Sequence, residues 1–158
     1  MNPTPRPEPP HRLAAFTIIE IMIAVVIIGL LAMLAIPAIT RVQQTAKNNR
    51  FISDLRIFTQ SFETYALENG TWPPNAGTGV IPAGMANAVS SKWSAQSSLG
   101  GRWNWDRNLN VDAGISVVSP TTSDYQMSRV DARIDDGNLE TGNFRKFDTR
   151  YTYILENN

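Results

Sequence analysis

The residues of this chain best suited to chemistry are a group of oxygen-bearing side chains around Gly137. The group comprises Asp131, Asp135, Asp136, Asn138 and Glu140. Calcium binds several carboxylate and amide oxygens on a flexible turn, so the group is a candidate calcium site. The candidate ligands are Asp135, Asp136, Asn138 and Glu140. Their spacing does not match an EF-hand loop. A solvated helix end, neutralised by Arg129 and Arg133, is the competing interpretation and the one that the residue types favour.

Composition excludes most other chemistry. The chain has 158 residues, no cysteine and one histidine, His11. The absence of cysteine excludes disulfides, thiolate metal sites and thiol catalysis. Because His11 is the only histidine, triads and zinc sites built on histidine are excluded from the rest of the chain. Lysine plus arginine total 14 and aspartate plus glutamate total 14, so the chain lacks the overall basic charge of a nucleic-acid binder. We expect neither an enzyme nor a nucleic-acid partner.

A long apolar run lies near the amino terminus. Every residue from 21 to 36 is apolar or glycine, and the run continues past Pro37 to Ile39. As a helix it would reach about 28 Å, close to the hydrocarbon core of a bilayer. Glu20 is the only charge between Leu13 and Thr40. A carboxylate deep in lipid costs about 2.5–3.5 kcal/mol, so Glu20 is either kept for a partner or lies at headgroup depth.

The residues around Glu20 resemble the type IV prepilin and pseudopilin signature. Residues 15–21 read AFTIIEI: a small residue, phenylalanine, threonine, two aliphatics, glutamate and an aliphatic. The resemblance implies that a prepilin peptidase cleaves between Ala15 and Phe16 on the cytoplasmic side and that the new amino terminus is methylated. It also implies that Glu20 pairs with the amine of Phe16 during filament assembly. The family usually has glycine where this chain has Ala15, which predicts slower cleavage.

Other positions extend the resemblance. Gly29 and Pro37 lie where pilin helices commonly carry glycine and proline, which implies that the stretch between them can unwind in a filament. An ordinary proline kink is the alternative. The end of the helix and the turn that follows, at residues 65–73, are similar to those of secretion pseudopilins. Some members of that family bind calcium in a C-terminal loop. The absence of cysteine favours a pseudopilin over a major pilin.

The remaining pattern predicts the elements that carry these residues. A helical stripe continues the apolar helix to about Glu68, and its members are Phe51, Leu55, Phe58, Phe62 and Tyr65. A loop-rich insert follows over residues 75–101, anchored by Met85 and Trp93. Strands are predicted around residues 102–105 and 114–118, a short helix over 124–136 and a hairpin over 139–156. Trp103 and Trp105 share one strand face, where they either pack a core, the interpretation we favour, or stack on a ligand.

These elements predict an α+β, pilin-like fold in which a long amino-terminal helix packs on a small antiparallel sheet, with one short extra helix. We divide the chain into a leader (1–15), a transmembrane and assembly helix (16–39), the amphipathic half of that helix (40–70) and a globular domain (71–158).

The resemblance implies a structural subunit of a type II secretion pseudopilus or type IV pilus-like filament. Its expected partners are copies of itself, other pilin-like subunits, prepilin peptidase, an inner-membrane assembly platform and membrane lipid. It is expected in the inner membrane with a cytoplasmic amino terminus and a periplasmic domain. The alternative is a single-pass, membrane-anchored extracytoplasmic binding module that does not polymerise. No cofactor is expected apart from the candidate calcium.

Overall fold

A computed structural model describes residues 16–89, 91–108 and 111–157. Its elements are helix α1 (Ile18–Asn69), a short 3-10 helix (Ser91–Trp93), strands β1 (Arg102–Arg107) and β2 (Ala113–Val118), helix α2 (Asp124–Ile134), and strands β3 (Phe144–Phe147) and β4 (Arg150–Glu156). This arrangement confirms the α+β fold. Two compact units are distinguished, the first ending at Val42 and the second beginning at Gln43. The predicted leader, including Ala15, lies outside the described residues.

The ends of α1 follow from local chemistry. At its start the Thr17 hydroxyl accepts a hydrogen bond from the Glu20 backbone N–H at 3.3 Å, which caps a free donor of the first turn. At its end Gly70 takes a positive φ of 68°, the left-handed conformation that stops helices. Helical structure continues through Pro37, where the Thr40 hydroxyl donates to the Ile36 carbonyl at 3.0 Å.

The four strands form one antiparallel sheet in the order β1-β2-β4-β3. Register aligns Trp103 with Val117 and Val117 with Tyr151, so these three side chains share a face. Both outer edges have backbone partners. Ala76 and Gln96 form bridges to β1, and the Lys146 N–H of β3 donates to the Leu139 carbonyl. Covered edges discourage strand-to-strand association between copies.

The core lies between the second half of α1 and this sheet face. Phe51 stacks on Trp103 with ring centroids 4.9 Å apart, and Phe62 stacks on Trp105 at 4.1 Å. Phe58 packs edge-on against Trp93 and Trp103, each at 5.1 Å. Trp103 and Trp105 are only 1% and 0% exposed. They therefore serve as core residues, as favoured above, and offer no surface for a ligand.

Helix α2 begins as predicted and ends two residues early. The Ser123 side chain caps it by accepting from the Gln126 N–H. It stops at Ile134 with Asp135 as the C-terminal cap, because the backbone turns at Gly137, whose φ is 84°. Met127, Val130 and Asp131 are its buried side chains. An aspartate is therefore buried on the apolar face of this helix.

The sheet also carries a buried polar network that the sequence reasoning missed. Arg150 on β4 donates to Asp106 on β1 at 2.6 Å, and the Ser116 hydroxyl of the intervening β2 donates to the same carboxylate. Asn104 adds a third donor to Asp106 at 2.9 Å. Because the Asp106 carboxylate is buried and multiply hydrogen-bonded, this network ties three strands together.

Candidate functional site

The first unit presents an apolar helix surface that nothing in the described chain covers. Every large apolar side chain from Phe16 to Val42 is more than half exposed. This part of α1 is long and apolar enough to cross a membrane. A helix that is apolar all round is stable only where lipid or other helices surround it. This surface therefore contacts membrane lipid, packs against other helices, or does first one and then the other.

The predicted processing and assembly residues lie at the start of this helix. Phe16 is 76% exposed and precedes the first helical residue, and Glu20 lies in the first turn. Among the described residues Glu20 forms no ion pair. A carboxylate in a first turn is favoured by the helix dipole. The structure thus leaves the Glu20 carboxylate available to a positive charge from another molecule.

Gly29 and Pro37 both lie within helical backbone. A methyl group added at Gly29 would meet no atom of the described chain within 4 Å. Packing inside this chain therefore does not require glycine at this position. What glycine does supply is backbone freedom and space for a neighbouring helix.

The acidic group forms a second candidate site, centred on Asp131. Asp131 is 0% exposed, and neither of its carboxylate oxygens has a hydrogen-bond partner among the described residues. One oxygen from each of Asp131, Asp135 and Asp136 lies within 4.8 Å of the others. Of the four predicted ligands, the structure thus brings Asp135 and Asp136 together around a buried carboxylate outside the predicted set. The position of Asp131 on the apolar stripe of α2, four residues after Met127, was the sequence signal that could have identified it as a buried residue.

Hydrogen bonds in the following turn engage the predicted ligands. Asp135 accepts from the backbone N–H groups of Asn143 and Phe144. Asp136 accepts from the Asn138 N–H at 2.8 Å and from the Thr141 hydroxyl at 2.6 Å. The Asn138 side-chain oxygen accepts from the Glu140 N–H at 3.2 Å, while the Glu140 side chain is exposed. These bonds close the turn around Gly137 and hold Asp135 and Asp136 beside Asp131.

The electrostatics of the two kinds of carboxylate differ. Burial raises the pKa of Asp131 to about 6, and the charges of Asp136 and Asp135 contribute to the rise. Hydrogen bonds from Thr141 and Asn138 lower the pKa of the exposed Asp136. The Gly137 backbone N–H offsets only part of the rise at Asp131. A buried carboxylate that accepts no hydrogen bond of good geometry, beside two further carboxylates, is an environment that a cation would stabilise. The donor set therefore fits a hard cation such as calcium.

Comparison with known proteins confirms the resemblance to secretion pseudopilins. The chain is 31% identical over 63 residues to type II secretion system core protein G of Aeromonas hydrophila, covering 40% of this chain and 44% of the relative. The protein of the same name from Klebsiella pneumoniae is 34% identical over 63 residues, which cover 40% of this chain and 45% of the relative. The protein of the same name from Pseudomonas aeruginosa is 35% identical over 60 residues, which cover 38% of this chain and 42% of the relative. The chain thus matches less than half the length of these relatives. No protein-family model and no solved structure matches it.

Proposed function

We propose that this chain is a structural subunit of a type II secretion pseudopilus, assembled through its amino-terminal helix. The uncovered apolar surface from Phe16 to Val42 carries the proposal, because an apolar helix can exchange lipid for other helices at little hydrophobic cost. The similarity to type II secretion system core proteins G supports this choice. A type IV pilus-like filament is the nearest variant of the same proposal.

Assembly begins with processing of the leader. Prepilin peptidase cleaves between Ala15 and Phe16 on the cytoplasmic side of the inner membrane, and the periplasmic domain lies on the other side. Cleavage creates a new amine on Phe16. The Glu20 carboxylate of a neighbouring subunit pairs with that amine, since each charge satisfies the other in a low dielectric. Other pilin-like subunits and an inner-membrane assembly platform complete the expected set of partners.

The stretch from Gly29 to Pro37 is proposed to extend when the helix leaves the bilayer. Pro37 lacks the N–H that would bond to the Met33 carbonyl, so the helix is weakest there. The unfilled space beside Gly29 is consistent with flexibility or close approach of a neighbouring helix. Filaments of a Pro37→Ala variant should then show a continuous helix over this stretch.

Substitution of Glu20 tests the proposal. Glu20→Ala and Glu20→Gln remove the charge that pairs with the Phe16 amine, and both are expected to abolish filaments while leaving the protein in the membrane. Glu68→Gln, an exposed carboxylate at the other end of α1, is the matched control and should assemble normally. Sheared surface filaments are quantified by immunoblotting and electron microscopy. Unchanged assembly of both Glu20 variants would refute the charge pairing, whereas absence of filaments from wild type and variants alike would favour a membrane-anchored binding module that does not polymerise.

We also propose that calcium binds at Asp131, Asp135 and Asp136. The unpartnered, fully buried carboxylate of Asp131 is the observation that favours this second role. Bound calcium would supply positive charge to the turn around Gly137 and so stabilise the second unit. Isothermal titration of the calcium-free full chain in detergent should detect one site, which Asp136→Asn weakens and Glu68→Gln leaves unchanged. Absence of binding heat and of thermal stabilisation by calcium would refute the site.

A further inference from the structure

A group of cations follows the apolar part of α1. Residues 41–53 contain Arg41, Lys47 and Arg50 but no aspartate or glutamate, although the chain as a whole is neutral. The second unit begins at Gln43, and Lys47 and Arg50 lie about 6 and 10 Å beyond it along the helix. Both side chains are exposed, and neither forms an ion pair among the described residues. This end of the second unit thus presents uncompensated positive charge.

The loops beside Lys47 carry no charge of their own. The Ser98 hydroxyl donates to the Lys47 carbonyl at 2.9 Å, which places the loop of residues 94–101 next to this part of α1. The Thr121 N–H donates to a carbonyl of that loop at 3.2 Å, so residues 119–123 adjoin it. Both segments consist of serine, threonine, glycine and other uncharged residues. The two loops therefore supply no carboxylate that could neutralise the neighbouring cations.

The carboxylates that border this region are already paired. Asp54, one turn beyond Arg50 on α1, pairs with Lys92 at 2.9 Å. Asp124, which follows the second loop, pairs with Lys146 at 2.6 Å. Each of these pairs is neutral overall, so the positive charge at this end of the unit remains for a ligand from outside the chain.

An open cavity of about 440 Å³ adjoins Arg50. Its polar lining residues are Arg50, Ser53, Asp54, Lys92, Gln96 and Ser98. A guanidinium donates to two phosphate oxygens at once, and hydroxyl and amide groups supply further donors. Since Asp54 and Lys92 cancel each other, Arg50 leaves the lining with a net positive charge. The cavity is therefore suited to a phosphate group.

We propose that Lys47, Arg50 and this cavity bind the phosphate headgroup of an anionic membrane lipid. The second unit starts directly after the apolar helix surface, so its first residues are held near the layer that lipid headgroups occupy. In the proposed orientation these cations lie on the periplasmic side, where the positive-inside rule gives no reason for them. A bound headgroup would anchor the second unit at the membrane surface until assembly. This inference rests on the proposed function, because it requires α1 to lie in a membrane.

The lipid selectivity of the full-length chain tests the site. The protein is placed in nanodiscs of equal parts phosphatidylglycerol and phosphatidylcholine, and the lipids that stay bound after its release are counted by native mass spectrometry. We expect bound phosphatidylglycerol to exceed bound phosphatidylcholine at least about fivefold, since one basic residue near a membrane surface strengthens attraction to anionic lipid by about that factor. Equal binding of the two lipids would overturn the inference.

Charge-removing variants locate the selectivity on the two cations. Lys47→Gln and Arg50→Gln should each lower the ratio of the two bound lipids at least about twofold, whereas Arg50→Lys keeps the charge and should retain a higher ratio than Arg50→Gln. Arg56→Gln removes an exposed cation about 9 Å further along α1 and, as the matched control, should keep the wild-type ratio. Thermal unfolding of each variant confirms that the fold is intact. A wild-type ratio in both glutamine variants of Lys47 and Arg50 would overturn the inference.

This inference and the proposed function fail in different ways. A chain that forms filaments but shows no preference for phosphatidylglycerol refutes the headgroup site alone. A chain that prefers phosphatidylglycerol but forms no filaments under conditions that support other subunits of the system refutes the proposed function alone. Soluble glycerol phosphate that abolishes the preference at constant ionic strength would identify a site for free phosphate and overturn the assignment to lipid.

Discussion

Replacement of Asp131 by asparagine should stabilise the metal-free protein at neutral pH. The Asp131 carboxylate is fully buried and accepts no hydrogen bond of good geometry. Burial raises its pKa in the folded chain from 3.8 to about 6, although the nearby Gly137 backbone N–H offsets part of the rise. The raised pKa means that ionisation of Asp131 opposes folding. This cost is absent well below pH 3.8, grows between about pH 4 and 6, and is complete above that range. Asparagine has nearly the same shape and does not ionise.

The size of the effect follows from the pKa difference. A change of about two pKa units corresponds to about 3 kcal/mol of unfolding free energy at about pH 7.5. For a unit of this size that is roughly 10 °C in melting temperature. The assay is thermal unfolding of the full chain in detergent micelles with a chelator, followed by tryptophan fluorescence. Wild type and Asp131→Asn are compared from about pH 3.5 to 7.5.

Calcium should stabilise wild type more than Asp131→Asn. Calcium bound at the proposed site would stabilise the ionised Asp131 carboxylate, so saturating calcium is expected to raise the melting temperature of wild type more than that of Asp131→Asn. Glu68→Gln, an exposed carboxylate with no comparable environment, should follow wild type at every pH and calcium concentration. An Asp131→Asn protein that is less stable than wild type at neutral pH without calcium would refute the reasoning about an uncompensated buried charge.

Three further substitutions test the packing of the second unit. Phe58→Ala removes a fully buried ring that contacts two tryptophans and should cost about 3–5 kcal/mol in denaturant unfolding; a loss below about 1 kcal/mol would contradict the described core. Asp106→Ala leaves the Arg150 guanidinium without its partner and should lower the free energy of unfolding by about 3–5 kcal/mol. The double variant Asp106→Leu with Arg150→Met should recover much of that loss. Equal losses of stability in the two variants would argue against the network. Gly101→Ala places a methyl group 2.4 Å from the Val118 carbonyl oxygen at a backbone φ of 70°. This substitution should therefore lower the melting temperature by several degrees. An unchanged melting temperature would show that the turn at Gly101 differs from the one described.

Local periodicity made the elements of the fold predictable. The stripe of Phe51, Leu55, Phe58 and Phe62 repeats at helical spacing because one face of α1 packs on the sheet. Trp103 and Trp105 alternate with polar residues because successive strand residues point to opposite faces. The Asn69-Gly70 stop was likewise readable, since glycine favours the left-handed backbone that ends α1. Each of these signals lies within a few neighbouring residues.

Features that depend on distant residues were not predictable in the same way. The Asp106–Arg150 pair joins positions 44 residues apart and requires the strand order β1-β2-β4-β3, for which the sequence holds no local signal. The bond from the Trp72 indole to Glu156, at 2.6 Å, joins residues 84 apart. For the candidate cation site, composition located the acidic turn. The burial of Asp131 depends on how α2 docks, so its central role could not be read from residue type alone.

Processing of the chain and its assembly through the amino-terminal helix are tested most directly by the mass of the amino terminus. The full-length protein is extracted from membranes of cells with active prepilin peptidase, digested and analysed by mass spectrometry. We expect an amino-terminal peptide that begins with N-methylated Phe16. An intact chain that begins at Met1, in cells that process other prepilins, would contradict this function, because Glu20 would then have no Phe16 amine to pair with.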